Sequence, residues 1–142
     1  MSEVNLLKSL PKPKRSINER SKKKSKKIIN ISRKYGKLYF DGPREYGYGG
    51  YFYDGRWKSV AKDIIKKYKL KKGQKVLDIG CGKGFLVKDL VDLGIDAYGL
   101  DISKYGIRNC PKDITGRLHL GSADNLNFLE NSFDLVISIN TI

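Results

Sequence analysis

Short apolar runs alternate with amphipathic segments through the second half of the chain. The runs at 75–79, 96–101, 117–120 and 133–139 have the length of strands. The spacing of apolar residues predicts helices over 59–69, 84–93 and 103–109, with Ser59 and Ser103 as caps and Gly94 as a stop. Strands and helices that alternate in this way are typical of an α/β fold with a parallel sheet.

The last apolar run is nearly continuous, with Phe133, Leu135, Val136, Ile137 and Ile139 in seven residues. This pattern is typical of a strand that is buried on both faces in the middle of a sheet. Since the sequence ends at residue 142, we expect this strand to be an unpaired edge, open to self-association. The simplest interpretation is the front part of a longer protein, or a truncated gene product.

Three glycines at alternate positions, Gly80, Gly82 and Gly84, follow the first predicted strand. Glycine lets the backbone turn sharply and lie close to a ligand. A dinucleotide fingerprint would need a further glycine where Phe85 stands, and Asp78 would repel a pyrophosphate. A nicotinamide-dependent oxidoreductase is therefore disfavoured. The same carboxylate could hold an ammonium group, so the charge favours a cofactor with a cationic amine end.

These residues resemble a known family. The stretch 76–84 looks like motif I of the class I S-adenosylmethionine-dependent methyltransferases, 100–103 resembles their acidic loop after strand two, and 121–126 with 131–136 resembles the approach to strand four. The resemblance implies a Rossmann-like parallel sheet flanked by helices, incomplete here, with about four strands in the order 3-2-1-4. It implies S-adenosyl-L-methionine as the cofactor.

The resemblance also assigns roles to single residues. Gly80, Cys81 and Gly82 are expected to lie along the methionine part of the cofactor, with Gly84 closing the turn. Asp101, 21 residues after Gly80, is expected to accept hydrogen bonds from the ribose hydroxyls. The remaining cofactor contacts are expected from the adenine-binding residues Ile102, Ala123 and Asp124, and from the end of strand four up to Asn140.

Each acidic residue also has an ordinary structural interpretation. Asp78 could be a partner of a helix dipole, Asp101 could cap the next helix, and Asp124 could be a turn residue. Cys81 is expected to be a small residue in a crowded turn, not a nucleophile. His119 is expected on an exposed strand position, and no catalytic base is assigned.

The charge of the chain is uneven. Lysine and arginine number 29 against 15 acidic residues, and residues 1–37 hold 13 of the basic and 2 of the acidic ones. The Ser/Lys composition of 8–27 predicts disorder, with one marginal helix from Ser16 onward. We therefore expect a basic, disordered arm at 1–37. It could contact RNA or an anionic membrane surface, or serve only as a solubilising tail.

A Tyr/Gly-rich segment at 38–58 separates this arm from the cofactor-binding domain at 59–142. Five aromatic residues lie between Tyr46 and Tyr53. They could cover the cofactor and exclude water, or pack on the sheet edge. Arg56 could pair with the carboxylate of the cofactor's methionine. The segment also resembles one in a bacterial methyltransferase group that modifies surface polysaccharides and small metabolites.

The sequence thus predicts methyl transfer to a small-molecule or saccharide-type acceptor. The alternatives are an RNA methyltransferase that uses the arm, and a non-catalytic cofactor-binding fragment. The two cysteines give neither a disulfide framework nor metal-ligand spacing, no apolar run approaches a membrane span, and a cytoplasmic location is expected.

Overall fold

The computed structural model describes residues 4–12, 25–126, 128 and 130–139. The elements in chain order are α1 Lys26–Ser32, α2 Lys37–Asp41, a 3₁₀ turn Arg44–Tyr46, α3 Lys58–Lys67, β1 Lys75–Ile79, α4 Phe85–Asp92, β2 Asp96–Asp101, α5 Lys104–Arg108, a second 3₁₀ turn Lys112–Ile114, β3 Leu118–Leu120 and β4 Leu135–Ser138. The four predicted strands and three predicted helices are all present. The ends of β1 and β2 are as predicted, and those of the other elements differ by one or two residues.

All four strands are parallel, and the sheet has the order β3-β2-β1-β4. The strand order that the family resemblance implied is therefore confirmed. In the register, Leu77 lies opposite Tyr98 on β2 and Val136 on β4. Because the strands run the same way, the loops after β1, β2, β3 and β4 meet at one edge of the sheet, where α/β folds bind ligands.

The main core lies between the sheet and the helices α3 and α4. Alternate residues of β1 face opposite ways, so Val76 joins this core while Leu77 and Ile79 join a smaller cluster on the other face. Val60 and Ile64 supply the buried face of α3, and Leu86, Val87 and Leu90 supply that of α4. The core fixes the positions of the two elements that flank the glycine turn.

Strand β4 forms the edge of the sheet within the described residues. Its Val136 side chain is 50% exposed, as the pattern of an unpaired strand predicts. The strand begins at Leu135, two residues later than the apolar run indicated, and Asp134 just before it also bonds to β1. The Asp134 amide donates to the Lys75 carbonyl, and its carboxylate accepts from the Lys75 amide, both at 2.8 Å.

Part of the segment that we expected to be a disordered arm lies among the described residues. Ser25 caps α1 by accepting from the Ile28 amide, and the Leu6, Leu7 and Leu10 side chains pack against the main core. The arm at 1–37 stays a prediction. The predicted helix from Ser16 lies largely outside the described residues. Among the described helices, none is both long and apolar enough to cross a membrane.

Candidate functional site

A cavity of about 470 Å³ opens at the carboxyl edge of the sheet, above the glycine turn. Residues from both the sheet loops and the Tyr/Gly-rich segment enclose it. Its lining consists of Tyr35, Tyr39, Phe40, Tyr48, Tyr51, Trp57, Asp78, Ile79, Gly80, Cys81, Gly82, Leu86, Leu100, Asp101, Ile102, Gly121, Ser122, Ala123, Asp124 and Ile139.

Most of the predicted cofactor residues meet in this cavity. Two of them, Gly84 and Arg56, do not line it. Asn140 is outside the described residues. The structure shows that the other predicted residues lie together in the cavity. The contact that each would make with a cofactor stays a prediction.

The glycine turn needs its glycines for two different reasons. Gly84 has φ +79°, and a Cβ there would lie 2.8 Å from side-chain atoms of both Ile114 and Leu118. Gly82 has φ +59°, and its Cβ would point at the Phe40 ring, 3.4 Å away. Gly84 thus lets the turn pack on the domain, while Gly82 leaves room under the aromatic residues.

The backbone amides of this turn are already used within the protein. The Gly80 and Cys81 amides donate to the Leu100 carbonyl at 2.7 and 3.1 Å. The Gly82 amide donates to the Asp101 carboxylate at 2.8 Å, and the Gly84 amide donates to the Cys81 carbonyl at 2.9 Å. A ligand can therefore come close to the backbone at these residues, but these four amides do not form an anion-binding site.

Asp101 ties the β2 loop to the glycine turn. One of its carboxylate oxygens accepts from Gly82, and the other accepts from the Ser103 amide at 2.8 Å. Ser103, not Asp101, caps α5, because its hydroxyl accepts from the Gly106 amide at 3.0 Å. Asp101 also lines the cavity, and its carboxylate has further lone pairs that can accept hydrogen bonds from hydroxyl donors.

Asp78 is a buried carboxyl at the floor of the cavity and is 6% exposed. Burial, followed by the nearby Asp101 charge, raises its pKa to about 7. An ionised carboxylate in such a place is stabilised by a cation. Cys81 is also buried, and burial raises the pKa of its thiol well above the usual value, so it stays protonated. This agrees with its expected role as a small residue of the turn.

Ile102, Ala123 and Asp124 form the outer end of the cavity. The Ile102 side chain is 56% exposed and offers an apolar surface. The Asp124 amide donates to the Ser122 hydroxyl at 3.2 Å, so Asp124 does belong to a local turn. Its exposed carboxylate nonetheless lines the cavity.

Aromatic rings form the roof of the cavity. We use aromatic roof for Tyr35, Tyr39, Phe40, Tyr48 and Tyr51, which all line it. Phe40 and Tyr48 stack at 5.7 Å, and Tyr48 and Tyr51 stack at 4.2 Å between ring centroids. The sequence pointed to Tyr48 and Tyr51 only. It missed the other three because they lie before the aromatic run from Tyr46 to Tyr53, in and around the short helix α2.

Asp41 at the end of α2 holds this roof on the glycine turn. Its carboxylate accepts from the Lys83 ammonium at 2.7 and 2.8 Å, from the Tyr105 hydroxyl at 2.6 Å and from the Tyr51 amide at 3.0 Å. The Lys83 ammonium also donates to the Tyr51 carbonyl at 2.8 Å. Burial opposes ionisation of Asp41, yet the hydrogen bonds from Lys83 and Tyr105 hold its pKa below the usual value.

The two residues before α3 lie in different surroundings. The Arg56 guanidinium pairs with the Asp54 carboxylate at 2.7 Å on the surface, with both side chains about half exposed. Trp57, which the sequence did not single out, lines the cavity instead. Its position directly before a helix whose apolar face is buried was the available signal.

Comparison with known proteins agrees with this geometry. The family model for the methyltransferase domain matches residues 77–142. The chain is 29% identical over 131 residues to 2-methyl-6-phytyl-1,4-hydroquinone methyltransferase of Synechocystis sp., which covers 78% of this chain and 41% of that protein. It is 39% identical over 83 residues to demethylmenaquinone methyltransferase of Paenarthrobacter aurescens, which covers 56% and 30%.

A solved structure shows the same fold. The crystal structure of a protein described as an S-adenosyl-L-methionine-dependent methyltransferase, from Methanococcus maripaludis, superposes with a TM-score of 0.53 at 25% identity. The match covers 60% of this chain and 42% of that one. Residues 77–142 belong to the class I S-adenosylmethionine-dependent methyltransferases. The chain spans well under half the length of the curated relatives above.

The residues of the methyltransferase cavity fit the family's cofactor, S-adenosyl-L-methionine. Three carboxylates, from Asp78, Asp101 and Asp124, line the cavity, and among the described residues no lysine, arginine or histidine occurs in the lining. This holds in a chain with a formal net charge of +14. A cavity of this charge favours a ligand with sulfonium and ammonium groups and disfavours a phosphate-bearing one.

Proposed function

We propose that this chain forms the cofactor site of an enzyme that methylates a small-molecule acceptor. The observation that carries the proposal is the charge of the cavity: carboxylates and aromatic faces line it, and no basic side chain lines it in the part of the chain that the structure describes. Aromatic faces attract cations, and so do carboxylates in a place from which water is partly excluded.

Each group has a specific task in this proposal. When bound, S-adenosyl-L-methionine supplies an electrophilic methyl group on a sulfonium sulfur. Asp101 accepts from the ribose hydroxyls, and Ile102 packs against the adenine with Ala123 and Asp124 reading its edge. Asp78 holds the ammonium group. Gly80, Cys81 and Gly82 provide the close backbone approach along the methionine chain.

The aromatic roof serves catalysis by position and by exclusion of water. Methyl transfer is an in-line displacement, whose rate depends on holding the nucleophile and the methyl carbon in line. Rings anchored through Asp41 and Lys83 restrict the space above the glycine turn. We assign no catalytic base. The three carboxylates of the cavity are given to cofactor contacts, the Cys81 thiol is protonated, and burial raises the pKa of the Tyr39, Tyr48 and Tyr51 hydroxyls.

A small-molecule acceptor agrees with most of the similar curated proteins. Two relatives are named for methylation of quinol-type rings and another for methylation of phosphoethanolamine, whereas a further one is named for methylation of a ribosomal protein. The acceptor could be a saccharide-type molecule as well, and the activity of the whole protein belongs to this proposal.

The test is calorimetric titration with S-adenosylhomocysteine. We expect micromolar binding by the chain and a loss of at least about tenfold for Asp101→Ala, since hydrogen bonds to a charged group are strong. Asp113→Ala is the matched control, because Asp113 pairs with Lys88 on the surface. Unchanged affinity in Asp101→Ala, with circular dichroism showing a folded chain, would refute the site assignment.

A further inference from the structure

A second concave site adjoins the cofactor cavity and carries the opposite charge. We call it the basic groove. Its volume is about 620 Å³, and its lining consists of Lys34, Tyr35, Gly36, Ile102, Lys104, Tyr105, Arg108, Leu120, Gly121 and Ser122. Four of these residues, Tyr35, Ile102, Gly121 and Ser122, also line the cofactor cavity. The two sites therefore meet at the outer end of that cavity.

The charge of the basic groove is available to a ligand. Lys34, Lys104 and Arg108 line it, and among the described residues no aspartate or glutamate does. All three cations are exposed, and none of them belongs to an ion pair found within the described part of the chain. Three uncompensated positive charges around one concave surface attract an anionic ligand.

The two walls of the groove are joined by a hydrogen bond. Lys104 and Arg108 lie one turn apart on α5, so their side chains share one side of the helix. Lys34 directly precedes Tyr35, whose carbonyl accepts from the Ser103 hydroxyl at 2.5 Å. Ser103 is the cap of α5. The bond therefore fixes the segment that carries Lys34 beside the helix that carries the other two cations.

The groove also has aromatic and apolar surfaces. The Tyr35 and Tyr105 rings belong to its lining, and the Ile102 and Leu120 side chains there are 56% and 53% exposed. A strand of single-stranded nucleic acid has the matching chemistry, since its phosphates pair with cations and its bases stack on aromatic side chains. A duplex hides the faces of its bases, and an anionic membrane surface offers charge without flat aromatic groups.

The charge around the groove favours an extended ligand over a small anion. Exposed Arg33 and Lys37 lie close to Lys34 in the chain. Residues 1–37 hold 13 of the 29 basic residues, and this basic segment leads to the groove at Lys34. A polyanion can contact several such charges in succession, and each contact releases a counterion from the strand.

We propose that the basic groove binds single-stranded nucleic acid. Lys34, Lys104 and Arg108 contact its phosphates, and a base lies against the ring of Tyr35 or Tyr105. The site is additional to the proposed methyl transfer, because none of its three cations lines the cofactor cavity. It assigns a binding partner and no methyl acceptor.

A matched pair of double variants of the whole chain tests the groove. Fluorescence anisotropy measures the affinity for a labelled oligouridylate of about twelve nucleotides, within the usual site size for such strands. Lys104→Gln with Arg108→Gln removes two charges from the groove. Lys62→Gln with Lys66→Gln removes two charges that are also exposed and one turn apart, but on α3 and outside both sites.

We expect the groove variant to bind at least about tenfold more weakly, and the control variant to stay within about twofold of wild type. The slope of log affinity against log salt concentration should also fall by about 1.4 in the groove variant alone, since each phosphate contact on a single strand contributes about 0.7. Circular dichroism checks that both variants are folded. Equal losses of affinity in the two variants would overturn the proposal.

A measurement on the unaltered chain separates the groove from the basic segment before it. In the ¹⁵N-labelled protein, the oligouridylate should shift the amide resonances of 102–108 and 120–122 and leave those of 62–66 in place. Shifts confined to residues 1–33 would overturn the groove as the binding site.

Two further titrations decide the class of partner and keep the proposals apart. Phosphatidylglycerol vesicles that bind more weakly to the groove variant, with oligouridylate affinity unchanged, would overturn the nucleic-acid proposal in favour of a membrane surface. The groove variant should retain the wild-type affinity for S-adenosylhomocysteine. A wild type that binds oligouridylate but no S-adenosylhomocysteine would contradict the proposed function and support the groove.

Discussion

Breaking the buried ion pair between Asp41 and Lys83 is expected to destabilise the aromatic roof strongly. In Asp41→Asn the carboxylate becomes a neutral amide, while the Lys83 ammonium stays where it is. The two side chains are 14% and 6% exposed. Lys83 would keep one strong acceptor, the Tyr51 carbonyl.

The size of the effect follows from burial. Removing one partner of a buried ion pair costs about 3–5 kcal/mol, because the other charge is left without compensation. We take the lower end, about 3 kcal/mol, since the amide oxygen still accepts from one of the neighbouring donors. For a chain of 142 residues this corresponds to a fall in melting temperature of about 10 °C.

Urea unfolding at pH 7, followed by circular dichroism, measures the free energy of unfolding. Asp54→Asn is the matched control. The same change is made there to an aspartate that pairs with an arginine, but both partners are about half exposed. Exposed pairs contribute about 0.5 kcal/mol, so the two variants should differ several-fold.

A double-mutant cycle completes the experiment. Asp41→Asn with Lys83→Met should cost at least about 1 kcal/mol less than the sum of the single changes, since the double variant leaves no buried charge behind. An Asp41→Asn chain that loses no more stability than Asp54→Asn would refute the reasoning. So would additive single changes, because the pair would then not act as a unit.

Two further predictions concern the floor and the turn of the cavity. Because the Asp78 pKa is raised to about 7, the folded chain binds this proton more tightly than the unfolded chain does. Protonation of Asp78 therefore stabilises the folded chain fully below about pH 4, and this stabilisation is lost as the pH rises through 7. Over that range of pH, the urea concentration at the unfolding midpoint should fall in wild type relative to Asp78→Asn. A difference in urea midpoint between wild type and Asp78→Asn that stays the same at every pH would contradict this prediction. Gly84→Ala should cost about 1–3 kcal/mol more than Gly73→Ala in the same assay, since both glycines have similar positive φ but only Gly84 faces Ile114 and Leu118. If the two variants lost equal stability, the backbone strain of alanine at positive φ alone would account for the loss.

Most of the sheet could be predicted from local sequence. The apolar runs mark strands because a parallel strand is buried along its length. Ser103 caps α5 as expected, and Asp101 ends β2 beside the glycine turn. In each case the residue type and its neighbours are sufficient, because the physical requirement is itself local.

The roof could not be predicted in the same way. Asp41 and Lys83 are 42 residues apart, and Asp41 and Tyr105 are 64 apart. Nothing in the stretch around Asp41 marks it as the end of a helix that meets the glycine turn. Arg56 attracted attention because it is charged, yet a nearby aspartate engages it, while the less conspicuous Trp57 reaches the cavity.

The position between Gly82 and Gly84 shows how the two parts of the site depend on each other. The glycines are required by backbone geometry and by the rings and apolar side chains that press on them. Neither of these requirements explains why residue 83 is a lysine. Its ammonium points away from the cavity lining, toward Asp41 and the aromatic roof. A cation is needed at position 83 because it pairs with Asp41. The glycine turn that shapes the cofactor cavity therefore also carries the residue that holds the aromatic roof in place. A change in the roof is therefore expected to reach the glycine turn directly, through one ion pair.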